Sequence, residues 1–272
     1  MNNLEEIILK TWDNRDLLKE SQNVSAIQEV IRLLDTGAIR VAEQLSPGIW
    51  KVNEWIKKAI LLYFPISENK VINAGDLSFF DKIPTKTNYE ELGVRAVPHA
   101  IARYGSFIER GAILMPSYVN IGAYVGSGSM IDTWATIGSC AQIGRNVHIA
   151  GGVGIGGVLE PPQAQPNIIE DDCFIGSRCI IVEGAVIEKE AVLGANVVIT
   201  ASTHIIDVSG QEPVHYKGRV PARSVVIPGS YPKEYPAGTF QIPCALIIGK
   251  RKETTDKKVS LNDALRDYGI GQ

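Results

Sequence analysis

The segment VNIGAYVGSGSMIDTWATIGSCAQIGRNVHIAGGVGI, residues 119–155, has an aliphatic residue at every sixth position. The same spacing extends back to Ile101, Phe107 and Ile113 and, after an interruption at 161–168, resumes at residue 169. The aliphatic positions are Val119, Val125, Ile131, Ile137, Ile143, Ile149 and Ile155, then Ile169, Ile175, Ile181, Ile187, Leu193, Ile199 and Ile205. A pattern of this length indicates a repeated structural unit.

A period of six fits neither an α-helix nor the simple alternation of one strand. It fits a coil with three short flat faces, stacked on one another at β-sheet spacing. The aliphatic residue then points into the interior, and a small residue four positions later, such as Ala135 after Ile131, lies near a corner. Glycines such as Gly138 suit the positive φ angles of tight corners. The sequence therefore predicts a mainly β fold, a parallel β-helix, which by resemblance to known hexapeptide-repeat proteins turns left-handed.

Residues 1–94 precede the repeats and have helical and hairpin patterns instead. The predicted elements are a helix near residues 4–11, a second helix that begins with a Ser25-x-x-Gln28 capping box and ends at Gly37, a hairpin over 39–52 with a Ser46-Pro47-Gly48 turn, and a third helix at 54–63. A solenoid has exposed edges at its ends, so we expect this region to be an α/β cap over one end of the coil.

The residues after 205 continue the coil with interruptions. Val220 to Val226 resembles one more repeat after a loop at 208–219, so we assign the β-helix to 95–228 with insertions at 161–168 and 208–219. Residues 229–272 are predicted to hold a strand over 241–248 and a terminal helix capped by Ser260. Between these two elements lies a basic stretch, Lys250 to Lys258, which fits either a solvated loop or a contact with the phosphates of a nucleotide.

Composition and charge exclude several classes of protein. The 272 residues are 45% hydrophobic, and 27 basic against 30 acidic residues give a net charge of −3. So even a balance predicts no general attraction to nucleic acid or to a membrane surface. The N-terminus MNNLEEIILK lacks the basic and long apolar stretches of a signal peptide, and no apolar run has the length of a membrane span. We therefore expect a cytoplasmic protein whose 4 cysteines are small buried thiols.

Three functional classes use a scaffold of hexapeptide repeats: acyl transfer from CoA or acyl-carrier protein, zinc-dependent γ-class carbonic anhydrases, and non-enzymatic scaffolds. The histidines are His99, His148, His204 and His215. No pair among them has the His-x-x-x-x-His spacing of the γ-class enzymes, so we predict no metal site. An outward Asp132 beside Trp134 has no purpose in a bare scaffold, which favours acyl transfer. His148 as the catalytic base of such a transfer is an open alternative.

Motifs inside and beyond the repeats resemble one acyltransferase family. They are Arg95-Ala-Val-Pro98, Leu114-Met-Pro-Ser-Tyr-Val-Asn-Ile-Gly-Ala-Tyr124, Asp132-Thr-Trp-Ala-Thr136, Gly151-Gly-Val-Gly-Ile-Gly-Gly-Val-Leu-Glu-Pro161, Val182-Glu-Gly184 and Cys244-Ala-Leu-Ile-Ile248. Together they resemble the tetrahydrodipicolinate N-succinyltransferases of diaminopimelate and lysine biosynthesis, over essentially the whole chain. Acetyl transfer from acetyl-CoA to the same or another amine is the alternative function.

The resemblance implies a reaction and a set of residues. Succinyl-CoA, as cosubstrate and with no tightly bound cofactor, gives its succinyl group to the amine of ring-opened, hydrated tetrahydrodipicolinate. Arg95 matches a substrate-binding arginine, which suits an acceptor with two carboxylates. Asp132 matches an aspartate that contacts the substrate and receives the proton of the amine, and Glu183 is the candidate for a second catalytic carboxylate. Lys250 and Lys258 match basic positions that reach the CoA phosphates.

The phase of the repeats predicts where these carboxylates lie. Asp132 and Glu183 follow strands of different faces, and at strand spacing they lie about 11 Å apart along the coil axis. One subunit alone therefore does not bring them together. We expect a homotrimer whose active sites each combine residues of two adjacent subunits.

Overall fold

The structure is a computed structural model and describes residues 2–252 of the 272-residue chain. The helices are α1 Asn2–Asp13, a 3-10 helix Arg15–Lys19, α2 Ser21–Asp35, α3 Glu54–Ile66 and α4 Tyr89–Leu92. The strands before the repeats are β1 Ala42–Ser46, β2 Ile49–Val52, β3 Lys70–Ala74 and β4 Leu77–Asp81. Lys258 and the terminal helix predicted from Ser260 lie outside the described residues.

The repeats form short strands of two residues each. They are β5 Arg95–Ala96, β6 Ile101–Ala102, β7 Phe107–Ile108, β8 Ile113–Leu114, β9 Tyr118–Val119, β10 Tyr124–Val125, β11 Met130–Ile131, β12 Thr136–Ile137, β13 Gln142–Ile143, β14 His148–Ile149, β15 Gly154–Ile155, β16 Ile168–Ile169, β17 Phe174–Ile175, β18 Ile180–Ile181, β19 Val186–Ile187, β20 Val192–Leu193 and β21 Val198–Ile199. The remaining strands are β22 His204–Asp207, β23 Val214–Lys217, β24 Arg219–Val220, β25 Ser224–Tyr235 and β26 Gly238–Lys250.

The short strands build three parallel sheets, because each strand pairs with the strands three places before and after it; β11, for example, lies between β8 and β14. We call these sheets the first, second and third faces. The first face contains β5, β8, β11, β14, β17, β20 and β25. The second face contains β6, β9, β12, β15, β18 and β21, and the third contains β7, β10, β13, β16, β19 and β24. The predicted parallel β-helix is confirmed.

The interior of the coil is filled by the residues that the period selects. From Val119 to Ile155 and from Ile169 to Ile199, each of the predicted aliphatic positions is at most 1% exposed. The small residues four places later are buried as well, as Ala135, Cys173 and Cys179 show. The core is therefore a continuous apolar column, and every other residue of each strand faces outward.

The first three predicted inward positions are wrong by one residue. Ile101, Phe107 and Ile113 are only half-buried, and the next residue of each strand fills the core instead. These inward residues are Ala102, Ile108 and Leu114, each at most 1% exposed. The register confirms the shift, since Val125 of β10 pairs with Ile108 and not with Phe107. The phase is restored by a shorter corner between Leu114 and Val119.

The coil also ends differently from the prediction. Ile205 is buried, but its strand β22 leaves the coil and pairs with β26 and β23. The third face is completed by β24, which pairs with β19 in parallel. Val220, in β24, therefore occupies the core position that the repeat assigned to Ile205. Strand β25 then continues from the coil into a long antiparallel hairpin with β26, and so runs through the predicted domain boundary at residue 228.

Helices α2 and α3 of the N-terminal region lie beside the coil, whereas the prediction placed the whole region over its end. Ile31 of α2 approaches Gly105, and Ile60 of α3 approaches Gly122 and Cys140, at the corner between the second and third faces. Among the described helices, α4 packs against the first coils of the core, through Tyr89 and Leu92. The region therefore extends along the coil axis.

The hairpin of β1 and β2 covers the third face. The Arg40 guanidinium lies 3.5 Å from the centre of the Tyr124 ring, and Trp50 Nε1 donates to Glu170 at 2.9 Å. Farther along the same face Arg219 donates to the carbonyl oxygen of Gly48.

Two local predictions in the N-terminal region need correction. Helix α2 begins at Ser21 after the N-cap Glu20, so Ser25 lies inside the helix and forms no capping box. The hairpin of β3 and β4, with a turn at Gly75, was not predicted. The other two helices and the first hairpin agree with the prediction, although α3 continues to Ile66. No helix in residues 2–252 has the length and apolar character that a membrane crossing requires.

Candidate active site

Asp132 lies at the corner between the first and second faces, directly after β11. Its backbone N–H donates to the Ile149 carbonyl at 2.9 Å, which continues the ladder of the first face. Its carboxylate oxygen Oδ1 accepts from the backbone N–H of Thr133 at 2.6 Å and from the Thr133 hydroxyl at 3.1 Å. The other oxygen, Oδ2, has no hydrogen-bond partner among residues 2–252. The corner thus orients the half-buried carboxylate and leaves one oxygen available to a ligand.

His148 lies on the next coil, in the outward position of β14, and its ring stacks on Phe174 with a centroid distance of 4.9 Å. Burial lowers the pKa of His148, and the nearby Asp132 carboxylate acts in the opposite direction. The ring is therefore predominantly neutral at neutral pH and adjoins the carboxylate. The sequence left His148 open as an alternative base but did not show that it neighbours Asp132.

Trp134 stands two residues after Asp132 on the same corner. Its φ angle is +62°, a conformation that bulky residues rarely adopt, and it is 71% exposed. The positions that follow at this corner on later coils are Gly152, Arg178 and Asn196, which also have positive φ. The positive φ is thus a shared feature of this corner, and the exposed indole ring is available for contact with a ligand or another subunit.

Arg95 lies on the first face, two coils before Asp132. Strand β5 pairs with β8, which pairs with β11, so Arg95 stands about 10 Å along the axis from the strand that leads to Asp132. The side chain is exposed, and its guanidinium has no hydrogen-bond partner among the described residues. Arg95 and Asp132 therefore share one face and can contact two ends of the same extended molecule.

Glu183 is not brought to this face. It follows β18 at the corner between the second and third faces, with a φ of +61°. The exposed carboxylate accepts from the backbone N–H of Ala201 at 3.2 Å. Because β11 and β18 belong to different faces, one subunit does not place Glu183 beside Asp132.

The basic C-terminal stretch is described only as far as Lys252. The Lys250 ammonium donates to the Ala222 carbonyl and to the Ser224 hydroxyl, both at 3.0 Å, on the last coil. Lys250 thus lies at the far end of the first face from Arg95.

The cysteines have no place in this chemistry. All four are buried free thiols, as predicted. Burial raises the pKa of Cys140 to about 12 and that of Cys179 to about 11, so neither is a thiolate nucleophile near neutral pH. Within residues 2–252 no group of three His, Cys, Asp or Glu side chains could hold a metal ion.

Comparison with known families and proteins supplements this geometry. Residues 3–66 match the family model "Tetrahydrodipicolinate N-succinyltransferase N-terminal". Residues 122–157 match the bacterial transferase hexapeptide model, and residues 166–201 match the hexapeptide repeat of succinyl-transferase.

Relatives of known name are similar over nearly the whole chain, and each is a 2,3,4,5-tetrahydropyridine-2,6-dicarboxylate N-succinyltransferase. The protein of Acidovorax ebreus is 53% identical over 97% of this chain and 98% of its own. The protein of Neisseria gonorrhoeae is likewise 53% identical over 97% of this chain and 98% of its own. That of Pseudoalteromonas translucida is 51% identical over 98% of both chains.

Proposed function

The chain belongs to the tetrahydrodipicolinate N-succinyltransferase family, and on that basis we propose that Asp132 is the centre of its active site. The protein is an acyltransferase that places a succinyl group on the nitrogen of tetrahydrodipicolinate, in the diaminopimelate pathway to lysine. The relatives' names favour succinyl over acetyl transfer. The observation that carries the site assignment is the Asp132 carboxylate, which is oriented through Oδ1 and has an available Oδ2.

In the proposed mechanism the donor is succinyl-CoA and the acceptor is the ring-opened, hydrated form of tetrahydrodipicolinate. Asp132 Oδ2 accepts a proton from the acceptor's amine, whose nitrogen attacks the thioester carbonyl. The carbon–sulfur bond breaks, and the CoA thiolate takes up the proton. The products are N-succinyl-2-amino-6-oxopimelate and CoA. Arg95, exposed on the same face, binds one carboxylate of the acceptor in a bidentate manner.

The finer assignments follow the family. The coil turns left-handed, the protein acts in the cytoplasm without a tightly bound cofactor, and Lys250 and Lys258 contact the CoA phosphates. His148, neutral and adjacent to Asp132, assists that carboxylate and does not replace it as the base.

The active protein is proposed to be a homotrimer with sites between subunits. Asp132 and Glu183 follow strands of different faces, so a site that uses both needs two subunits. The corner and the second face also expose apolar side chains, with Trp134 at 71%, Ile180 at 38% and Val198 at 47%. An exposed apolar surface of this kind is typical of an interface. A second copy that covers it brings its Glu183 toward the Asp132 of the first.

Mixed trimers test this arrangement. Asp132→Asn and Glu183→Gln subunits are prepared as separate inactive trimers and then mixed by unfolding and refolding. About a quarter of the sites in the mixture then combine an intact Asp132 with an intact Glu183, so about a quarter of the wild-type activity should return. Release of CoA from succinyl-CoA, followed with a thiol reagent, measures it.

A matched refolding of each variant alone is the control, and both should stay inactive. Mixtures that regain nothing would show that the two carboxylates act within one subunit. Full activity of the Glu183→Gln trimer before mixing would show instead that Glu183 is not catalytic.

A further inference from the structure

Lys57, in helix α3, is a buried charged residue that the reaction does not use directly. The residue is 0% exposed, which is rare for a lysine because burial of an ammonium is costly. Its Nζ donates to the Pro161 carbonyl at 3.2 Å and to the Ala164 carbonyl at 2.8 Å. Both acceptors lie in the interruption of the repeats between β15 and β16. The Lys57 side chain, which belongs to the N-terminal region, thus binds the backbone of a loop of the coil.

The same loop holds the corner that carries Glu183. The Gln165 side-chain amide donates to the Gly184 carbonyl at 2.9 Å. The Asn167 side-chain oxygen accepts from the backbone N–H groups of Gly184 and Ala185, each at 3.0 Å. Asn167 is itself 0% exposed and donates to the Gly156 carbonyl at 2.6 Å. Gly184 therefore has both its N–H and its carbonyl bonded to this loop.

The conformation of the corner shows why such support matters. Glu183 and Gly184 have φ angles of +61° and +78°, and Glu183 is not a residue that prefers this region. A side chain at Gly184 would have its Cβ 2.6 Å from the Gln165 carbonyl oxygen, so the loop lies directly against the corner. A strained backbone of this kind persists only where neighbouring contacts hold it.

We infer that Lys57 is a positioning residue for Glu183. Its ammonium fixes the loop at Pro161 and Ala164, and the loop fixes the backbone on either side of Gly184 through Gln165 and Asn167. The direction of the Glu183 side chain then depends on a residue of the N-terminal region. The inference rests on the proposed catalytic role of Glu183, and it gives the N-terminal region a part in the reaction.

Two variants and a matched control test the inference. Lys57→Met keeps an unbranched apolar side chain and removes both hydrogen bonds to the loop. Lys58→Met, on the same helix, removes a side chain whose partner is Glu54 and which does not contact the loop, and so is the control. Gln165→Ala acts at an exposed contact of the loop itself and is expected to leave the fold intact.

Two quantities are measured: hydrogen exchange of the Gly184 and Ala185 amides, and the steady-state constants kcat and KM. In Lys57→Met and Gln165→Ala we expect at least about tenfold faster exchange and a fall in kcat of about 10-fold to 100-fold, with little change in KM. The double variant should lose no more kcat than Lys57→Met alone, because both changes act through one loop. Lys58→Met should match the wild type in both quantities.

Unchanged exchange at Gly184 and Ala185 in Lys57→Met would overturn the inference, whatever the activity of Glu183→Gln. An equal fall in kcat in Lys58→Met would also overturn it, since the effect would then belong to the helix in general. Full activity of Glu183→Gln is the separate result that overturns the proposed role of Glu183, and with it any effect of Lys57 on kcat.

Discussion

The Asp132 carboxylate has two oxygens in different environments. Oδ1 is held by the N–H and the hydroxyl of Thr133, whereas Oδ2 has no partner among residues 2–252. A single corner therefore supplies both the orientation of the acid and its reactive oxygen. Arg95 and His148 add a cation and a neutral ring on the same face.

Asp132→Asn tests the role of that oxygen. The amide oxygen of asparagine can still accept from Thr133, but the side chain cannot take a proton from the attacking amine. We expect kcat to fall by about 10²-fold to 10⁴-fold, with a change in the free energy of unfolding within about 1 kcal/mol. CoA release and urea denaturation measure the two quantities. Asp172→Asn, at a corner between the third and first faces, is the control. An Asp132→Asn variant that changes only KM would contradict the role of Asp132 as the base.

The buried His148 ring predicts a pH dependence of stability. Burial lowers its pKa in the folded protein below the ordinary value of about 6.5, so the unfolded chain binds the proton more readily. The neutral His148 ring therefore contributes its full share to the free energy of unfolding above about pH 6.5. This contribution is lost as the pH falls through the lower pKa of the folded state. The difference in unfolding free energy between the wild type and His148→Gln should therefore shrink below about pH 6.5.

Urea denaturation of both proteins between about pH 5 and pH 8 measures this difference. His215→Gln, at an exposed position of β23, is the matched control. A difference between the wild type and His148→Gln that stays constant over this range would contradict the prediction.

At the scale of the element, strand β18 shows how two neighbouring residues divide their roles. Ile181 fills the core and is 0% exposed, whereas Ile180 points outward and is 38% exposed. Truncation of a buried isoleucine removes apolar burial and leaves a cavity, so Ile181→Ala should lower the free energy of unfolding by about 2–5 kcal/mol. Ile180→Ala should lower it by less than about 1 kcal/mol in the isolated subunit. Equal losses, measured by urea denaturation, would contradict the assigned register.

The limits of prediction at this scale are visible at three strands. The period of six identified the inward residue of each strand from β9 to β21, but it chose the wrong residue of Ile101–Ala102, Phe107–Ile108 and Ile113–Leu114. Each residue of these pairs is apolar or small, so the pattern alone fits either register. The shorter corner before Val119 decides it. A signal for β3 and β4 did exist, because Gly75-Asp76 between two strand-like runs is typical of a hairpin turn.

At the scale of the whole molecule, the N-terminal region and the coil meet along their length. Gly122 lies in this contact with a φ of +76°, and a Cβ there would stand 2.8 Å from Ile60 Cδ1 and 2.9 Å from Cys140 Sγ. Gly75 has a similar φ of +62°, but a Cβ there would meet nothing within 4 Å. Comparison of substitutions at the two glycines therefore separates the stability cost of backbone strain from the cost of crowding between the N-terminal region and the coil.

We expect Gly75→Ala to cost about 1–2 kcal/mol of stability from backbone strain alone. Gly122→Ala should cost about 1–3 kcal/mol more, because the methyl group also crowds Ile60 and Cys140. Thermal or urea denaturation of the two variants measures the difference. Equal losses of stability in Gly75→Ala and Gly122→Ala would show that α3 can shift to accommodate the added methyl group, and that the N-terminal region is not packed tightly against the coil.

The lateral contact itself could not be predicted from the sequence. The repeats show which side chains point outward, but they do not show which face a second element covers. That choice depends on matching surfaces, such as Arg40 over Tyr124 and Trp50 beside Glu170, whose partners are far apart in sequence. For the same reason the sequence separated Asp132 from Glu183 by face but did not reveal that Lys57 reaches the loop next to Glu183.

The pairing of each strand with the strand one coil earlier has a consequence for synthesis on the ribosome. Partners such as Val125 and Ile143 are close in sequence, so a coil can add to the preceding one as it leaves the exit tunnel. Helices α2 and α3 emerge earlier, and their apolar sides stay exposed until the coil segments with Gly105 and Gly122 have emerged and pack against them. Strand β24 must emerge before the third face is closed, because β22 has left the coil. The first face is closed later still, when β25 pairs with β20. The nascent chain therefore exposes these strand edges until residues 219–226 have left the exit tunnel, and exposed edges of this kind are prone to aggregate.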